Sequence, residues 1–227
     1  MKLPYALVIS AALALLASPA AAATTIDFGA SSVPGPGTPV GQSKDFSNGG
    51  LTVTASAFGP APEEGKLSLY VKNGGAGERG LGMTNDPFGQ NEISYGYGFI
   101  QIDVSQLPSS IGSILFDLNS VSGTERWSVF GSNTSGSYDK TLAALFTGNT
   151  NSGGNLLSST CLGKSSCKYY DFVSTSSATA GNNFLLHSLT MGAVPEPATW
   201  LMMLLGFGAM GFAMRRQSRS ARLLQLV

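Results

Sequence analysis

Hydrophobic and polar side chains alternate in short runs through most of the chain. In one run Leu51, Val53 and Ala55 are separated by Thr52 and Thr54. The same period of two recurs at residues 67–71, 100–104, 114–118, 127–130, 170–172 and 184–186. This period is typical of half-buried β-strands, and the Gly, Ser, Asn and Pro clusters between runs indicate turns. We therefore predict one all-β domain over residues 24–193, a β-sandwich or jelly-roll-like fold; only residues 142–146 suggest a short helix.

An apolar stretch at residues 7–17 follows Lys2 and precedes a series of small residues. This stretch is too short to cross about 30 Å of hydrocarbon. Ala20 and Ala22 suit the narrow pocket of a signal peptidase. Residues 1–23 are therefore predicted to be a signal peptide that directs export through the Sec machinery and is then removed. An uncleaved anchor is the alternative.

A second apolar stretch, residues 198–214, contains no charged side chain. At 1.5 Å per residue it extends about 25 Å, close to the shortest helix that spans a bilayer. Arg215, Arg216 and Arg219 follow it and should remain in the cytoplasm. We predict one transmembrane helix here, with the β domain on the opposite side of the membrane. The alternative is a buried core helix, which the glycines and arginines of this region disfavour.

The segment before the second apolar stretch carries a distinctive motif. Pro195-Glu196-Pro197, the apolar stretch and the arginines that follow it resemble the PEP-CTERM sorting signal of exopolysaccharide-producing Gram-negative bacteria. The resemblance implies recognition by exosortase, a membrane cysteine protease or transpeptidase that would cut near this motif. It also implies a sorting signal over residues 194–222, with residues 223–227 as an extra tail beyond the family's usual pattern.

The same resemblance implies a function and a route. The protein is expected to be a noncatalytic cell-surface or extracellular-matrix protein associated with exopolysaccharide. The inner membrane would hold it transiently, with the domain in the periplasm and the C-terminus in the cytoplasm. Processing would then place the domain at the cell surface or outside the cell. Parts of the domain, such as Gly80-Leu81-Gly82 and Asn91-Glu92-Ile93, are also similar to the exported domains of these proteins. No established activity of those domains can be carried over to this chain.

Charge and composition exclude several classes of function. Thirteen basic residues balance thirteen acidic ones, which gives no positive field for nucleic acid. Because several arginines belong to the predicted tail, the β domain itself is acidic. One histidine excludes sites with two imidazoles. Gly75, Gly77 and Gly80 match a dinucleotide-binding pattern, but no helix is expected after them, so a loop is the simpler interpretation.

Cys161 and Cys167 are the two cysteines of the chain. Export places them in an oxidising compartment, so we predict a local disulfide between them. In the chain-entropy description, closing so short a loop stabilises the fold by roughly 2 kcal/mol. A reactive thiol is the alternative, although no motif that would activate it is present.

The acidic residues Asp86, Glu92 and Asp103 lie near glycines in the sequence. Carboxylates are hard oxygen ligands, so these three are candidates for a calcium site that stabilises a loop. Solvated turn carboxylates are the alternative, and no other cofactor is predicted. Glycoside hydrolysis would need two carboxylates across a cleft, and the sequence does not pair Glu63, Glu64, Glu92 or Glu125. We expect no enzymatic activity, and a glycan-acting hydrolase is the less favoured alternative.

Tyr95, Tyr97 and Phe99 alternate with glycines. On one exposed strand face these rings could stack on sugars, because aromatic rings combine a flat apolar face with a polar handle. This pattern makes a carbohydrate-binding module, with or without calcium, the alternative function. Inward packing of the three rings is the structural alternative.

Overall fold

The computed structural model describes residues 23–29, 37–59, 67–75, 78–86, 88–137, 143–158, 167–175, 183–193, 203–212 and 215. Residues 23–193 form one compact unit. Its described strands, in chain order, are β1 (Thr24–Asp27), β2 (Thr38–Pro39), β3 (Ser43–Asn48), β4 (Leu51–Phe58), β5 (Leu69–Asn73), β6 (Arg79–Met83), β7 (Ile93–Ser94), β8 (Phe99–Asp103), β9 (Ile111–Asn119), β10 (Trp127–Ser132), β11 (Phe146–Gly148), β12 (Ser152–Asn155), β13 (Tyr169–Ser174) and β14 (Asn183–Ala193). One 3₁₀ turn, Leu156–Ser158, follows β12.

The strands form two antiparallel sheets. Sheet 1 has the order β12-β9-β14-β6-β5-β2, and β1 and β7 also pair with β14. Sheet 2 has the order β11-β10-β13-β8-β4-β3. This arrangement confirms the predicted all-β, sandwich-like class. The strand order could not be derived from the sequence, because many neighbours in each sheet are distant in the chain.

The main core consists of the apolar positions of the alternating runs. In β4, Val53, Ala55 and Ala57 are buried, and the residues between them are partly exposed. Phe116 of sheet 1 packs edge-to-face against rings of sheet 2; its centroid lies 5.6 Å from that of Trp127 and 5.3 Å from that of Phe172. These contacts place the core between the two sheets, as expected for strands with one apolar face.

The helix expected at residues 142–146 is wrong for the part that the structure describes. Residues 143–145 are not helical, and Phe146 begins strand β11. Phe146 pairs with Val129 of β10, and its ring lies 5.6 Å from that of Phe116. Packing against the core therefore overrides the weak local preference for helix.

Strand β14 connects much of sheet 1. It pairs with β9 along most of its length and also with β1, β6 and β7. Thr24 lies opposite Met191, so the first and last strands of the domain are neighbours. Strand β14 ends at Ala193, two residues before the Pro-Glu-Pro motif.

Candidate functional site

Part of the predicted sorting signal is helical. Residues 203–212 form a helix, and Arg215 is also in helical conformation. The large apolar side chains of this helix are all exposed: Met203, Leu204, Leu205, Phe207, Met210 and Phe212. Among the residues that the structure describes, no helix has the length and apolar character needed to cross a membrane. The predicted signal peptide, Pro195, Glu196, Pro197, Arg216 and Arg219 lie outside the described residues.

A cluster of charged and polar side chains lies in the β domain, and we call it the Glu92 cluster: Lys72, Glu78, Glu92 and Ser120. Lys72 Nζ forms an ion pair with Glu78 and lies 2.5 Å from Glu92 Oε1. Ser120 Oγ lies 3.3 Å from Glu78 Oε1 and 3.2 Å from Glu92 Oε1. One ammonium group and one hydroxyl group therefore bridge two carboxyl groups that come from separate segments of the chain.

Gly82 allows this cluster to form. Its neighbours Leu81 and Met83 belong to the core, so Gly82 lies on the outer face of sheet 1. A Cβ atom at Gly82 would lie 2.1 Å from the Asn91 carbonyl oxygen and 2.8 Å from Glu92 Cα. Only glycine lets the backbone of residues 91–92 lie this close to β6. The similarity noted at Gly80-Leu81-Gly82 and Asn91-Glu92-Ile93 thus falls on two segments in direct contact.

Asp86 shapes the segment that leads to Glu92. Its Oδ1 accepts a hydrogen bond of 2.9 Å from the Phe88 amide, and its Oδ2 accepts one from the Asn91 amide. Asn91 adopts a φ of 58°, a left-handed conformation that asparagine tolerates better than most residues. Asp86 is 5 % exposed, so it is a buried turn carboxylate and not a solvated one.

Burial and charge affect the two glutamates of the cluster differently. Burial raises the pKa of Glu92 to about 7, against the lowering effect of Lys72. For Glu78, burial acts upward, but the hydrogen bond and charge of Lys72 outweigh it and lower the pKa. Glu92 is thus partly protonated near neutral pH, whereas Glu78 stays ionised. Acid–base enzymes also use two neighbouring carboxyl groups with such different pKa values. Here, however, the Glu92 side chain is only 1 % exposed, and its carboxyl group is hydrogen-bonded by Lys72 and Ser120.

The three calcium candidates do not converge. Asp86 and Glu92 bind protein partners, and Asp103 lies in β8 of sheet 2, where it accepts a 2.8 Å hydrogen bond from the Ser105 amide. Within the described ranges, no group of three or more His, Cys, Asp or Glu side chains is arranged to hold a metal ion. The expectation that neighbours in sequence form one site is therefore wrong for these residues, because β7 and β8 enter different sheets.

The proposed aromatic face is also wrong as a strand face. Residues 95–97 form a turn between β7 and β8, with Gly96 at a φ of 71°. Tyr95 is exposed, Tyr97 packs partly against the core, and Phe99 is 6 % exposed. Phe99 stacks on Phe58 at a centroid distance of 5.4 Å. The turn breaks the period of two, so the three rings do not share one surface.

Other candidate residues have mixed outcomes. Cys167 is buried, but Cys161 lies outside the described residues, so their disulfide stays a prediction. Glu63 and Glu64 also lie outside, and Glu125 accepts a hydrogen bond from the Ser122 amide. The glycine pattern was expected to lie in a loop, but Gly80 lies in strand β6 (Arg79–Met83), so that interpretation is wrong for this residue.

Sequence reasoning missed three members of the Glu92 cluster: Lys72, Glu78 and Ser120. The one available signal is that Lys72 continues the alternation of β5 on its polar side. Nothing local links it to Glu92, which is 20 positions away. Ser120 adopts a φ of 64°, which the sequence also does not indicate for a serine.

The fold defines an all-β, two-sheet domain that precedes a short helix with exposed apolar side chains. The model of the PEP-CTERM protein-sorting motif matches residues 193–217, which include both the Pro-Glu-Pro motif and this helix. The chain is therefore a PEP-CTERM motif-containing protein. The motif indicates export and membrane-associated sorting, with exosortase as the processing partner. No curated protein and no solved structure matches the chain.

Proposed function

We propose that this chain is a noncatalytic exported protein whose β-sandwich domain contributes to the cell surface or to the extracellular polysaccharide matrix. Exosortase would process it near Pro195-Glu196-Pro197 after removal of the signal peptide. The observation that carries the proposal is the match of the PEP-CTERM motif to residues 193–217. The β domain is then the cargo, and residues 194–222 are the sorting signal.

The end of strand β14 supports a cut at this motif. Strand β14 spans Asn183–Ala193 and pairs with four other strands of sheet 1. A cut near residues 195–197 leaves this strand complete, whereas a cut a few residues earlier would remove backbone hydrogen bonds to β9. Processing at the motif would therefore separate the sorting signal from the domain without weakening its sheet.

The helix at residues 203–212 supports the membrane step. Leu204, Phe207 and Phe212 each expose more than half of their surface, as do other apolar side chains of this helix. Exposed apolar surface costs about 25 cal/mol per Å² in water, so a hydrocarbon environment would favour this segment. In the proposed topology the inner membrane holds it transiently, the domain lies in the periplasm, and Arg215 marks the cytoplasmic end.

The polar groups of the domain favour a structural role over catalysis. Of the two carboxyl groups in the Glu92 cluster, that of Glu92 has its pKa nearer neutrality. Lys72 and Ser120 both hydrogen-bond to it. Of the three aromatic residues considered for sugar stacking, Tyr95 alone is exposed. The carbohydrate-binding alternative thus lacks an assembled aromatic face. Association with exopolysaccharide is proposed for the domain as a whole.

The decisive experiment changes the Pro-Glu-Pro motif. Pro195, Glu196 and Pro197 are replaced with alanine in a host that has exosortase, and intact mass and membrane fractionation follow the product. The variant should stay in the membrane at its unprocessed mass. The matched control replaces Pro60 and Pro62, which form another Pro-x-Pro sequence of the chain, one that no apolar stretch follows. Normal processing of the motif variant would refute the proposed route.

The passive role of the domain is tested separately. The processed protein is applied to a glycan array with and without a chelator, and glycan hydrolysis is measured in parallel. We expect the protein to co-purify with the matrix but to show no turnover. Turnover that disappears in Glu92→Gln would refute the noncatalytic proposal and leave the sorting proposal intact.

A further inference from the structure

The outer face of sheet 2 contains a buried carboxyl group. In β13, Tyr170 and Phe172 point into the core, so Asp171 between them points to the opposite face. Asp171 is nevertheless 0 % exposed. Its register partner on β8 is Gln101. Ile100 and Ile102 on either side of Gln101 belong to the core, so Gln101 also points to the outer face, and it is also buried. Another segment must therefore cover this part of the outer face.

The turn at residues 133–137, which follows β10, provides this cover. Gln101 Nε2 donates a 2.7 Å hydrogen bond to Asp171 Oδ1, and Gln101 Oε1 accepts one of 3.0 Å from the Gly136 amide. Gln101 Nε2 also lies 3.4 Å from the Thr134 carbonyl oxygen. Gln101 thus connects the carboxyl group of Asp171 to the turn above it. Gly136 lies against the ring of Phe58, where a Cβ atom would be 3.0 Å from the ring.

The second oxygen of Asp171 is unsatisfied. Oδ2 is buried and has no hydrogen-bond partner among the residues that the structure describes. An ionised carboxylate in such a place is costly, because burial removes water without providing a compensating donor. Burial accordingly raises the pKa of Asp171 to about 7, and the hydrogen bond from Gln101 opposes this effect only partly.

Among the residues that the structure describes, no basic side chain forms an ion pair with Asp171 to offset its ionisation. Its cross-strand partners are Gln101 on β8 and Phe130 on β10, and the turn contributes backbone groups. In the next row of the sheet, Asp103 pairs with Tyr169, and the carboxyl group of Asp103 accepts a hydrogen bond from the Ser105 amide. Lys168, which precedes β13, uses its backbone amide to bind Asn133 at 3.2 Å.

We propose that Asp171 and Gln101 form a proton-dependent latch that holds the turn at residues 133–137 over the outer face of sheet 2. While Asp171 is protonated, Gln101 bridges it to Gly136 and the turn stays closed. Loss of the proton leaves a buried charge with one unsatisfied oxygen, and opening of the turn hydrates that charge. Gly136 of the turn lies against the ring of Phe58, which stacks on Phe99 on the same face. Opening would therefore make an apolar surface of the exported domain dependent on external pH.

Amide hydrogen exchange of Gly136 tests the latch in the intact domain. The open turn should restore the ordinary aspartate pKa near 4, so opening increases by about tenfold per pH unit from pH 5 to pH 7 and levels off above. After correction for intrinsic exchange, the protection of Gly136 should decrease accordingly. Amides of the central strand β8 report global unfolding, whose pH dependence also includes the titration of Glu92. The protection of these amides should decrease less than that of Gly136.

Two variants separate the latch from general pH effects. Asp171→Asn retains the acceptor for Gln101 but does not titrate, so Gly136 should stay protected at both pH values. Asp103→Asn is the matched control, an outer-face aspartate on the neighbouring strand, and it should behave like the wild type. If Gly136 loses as much protection between pH 5 and pH 7 in Asp171→Asn as in the wild type, the proposal is overturned. If Asp171→Asn does not fold, carbon NMR of the wild-type carboxyl group decides, and a measured pKa below 5 overturns it.

Discussion

Replacing Gly82 with alanine tests how the Glu92 cluster is built. The new Cβ would meet the Asn91 carbonyl oxygen at 2.1 Å and Glu92 Cα at 2.8 Å, both of them backbone atoms that cannot rotate away. Ordinary contact begins near 3.4 Å, so residues 91–92 must move by more than an ångström. Overpacking of this kind costs about 1–3 kcal/mol. The displacement also separates Glu92 from Lys72, and a buried carboxyl group without its partner adds to that cost.

The expected loss of unfolding free energy for Gly82→Ala is therefore about 3 kcal/mol, or roughly 6–12 °C in Tm for a domain of this size. Urea and thermal denaturation of the purified protein, followed by near-UV circular dichroism, measure it. Gly208→Ala is the control, measured like Gly82→Ala on the unprocessed protein that still carries residues 203–212, because a Cβ atom at Gly208 would have nothing within 4 Å. A Gly82→Ala protein within about 0.5 kcal/mol of the wild type would refute the steric argument, since that is the range of neutral surface changes.

Three further predictions concern the core, the buried acid and the cysteines. Phe116→Ala should destabilise the domain by about 3–5 kcal/mol in urea denaturation, because it removes the edge-to-face contacts between the sheets; a loss under 1 kcal/mol would contradict the described core. Because the folded pKa of Glu92, about 7, exceeds the ordinary 4.5, the stability linked to its proton is complete below about pH 4.5 and is lost as the pH rises to about 7. Glu92→Gln should flatten this part of the stability curve, and an unchanged slope would count against the raised pKa. If Cys161 and Cys167 pair, reduction should add about 2 Da to the intact mass and cost roughly 2 kcal/mol, whereas an unchanged mass would show that they do not.

The alternating runs predicted the strands of the core because the period of two is a local property of a sheet with one apolar face. The prediction was wrong at Tyr95–Phe99, where a turn interrupts the alternation. It was also wrong at Phe146, which lies in a strand and packs against the ring of Phe116, a residue distant in the chain. Burial of Asp171 and Glu92 could not be predicted, because the segments that cover them come from other parts of the chain. A polar residue in an alternating strand is normally expected to face water.

The pairing of β1 with β14 links the fold to the proposed route. Thr24 lies opposite Met191, so the residues next to both expected processing sites are neighbours in one sheet. Strand β14 also pairs with β6, β7 and β9, and sheet 1 therefore cannot be completed until residue 193 is available. In the proposed topology that residue emerges just before the apolar stretch enters the membrane. Folding of sheet 1 would thus finish only when the whole domain has been exported, at the same point in the chain where the sorting motif begins.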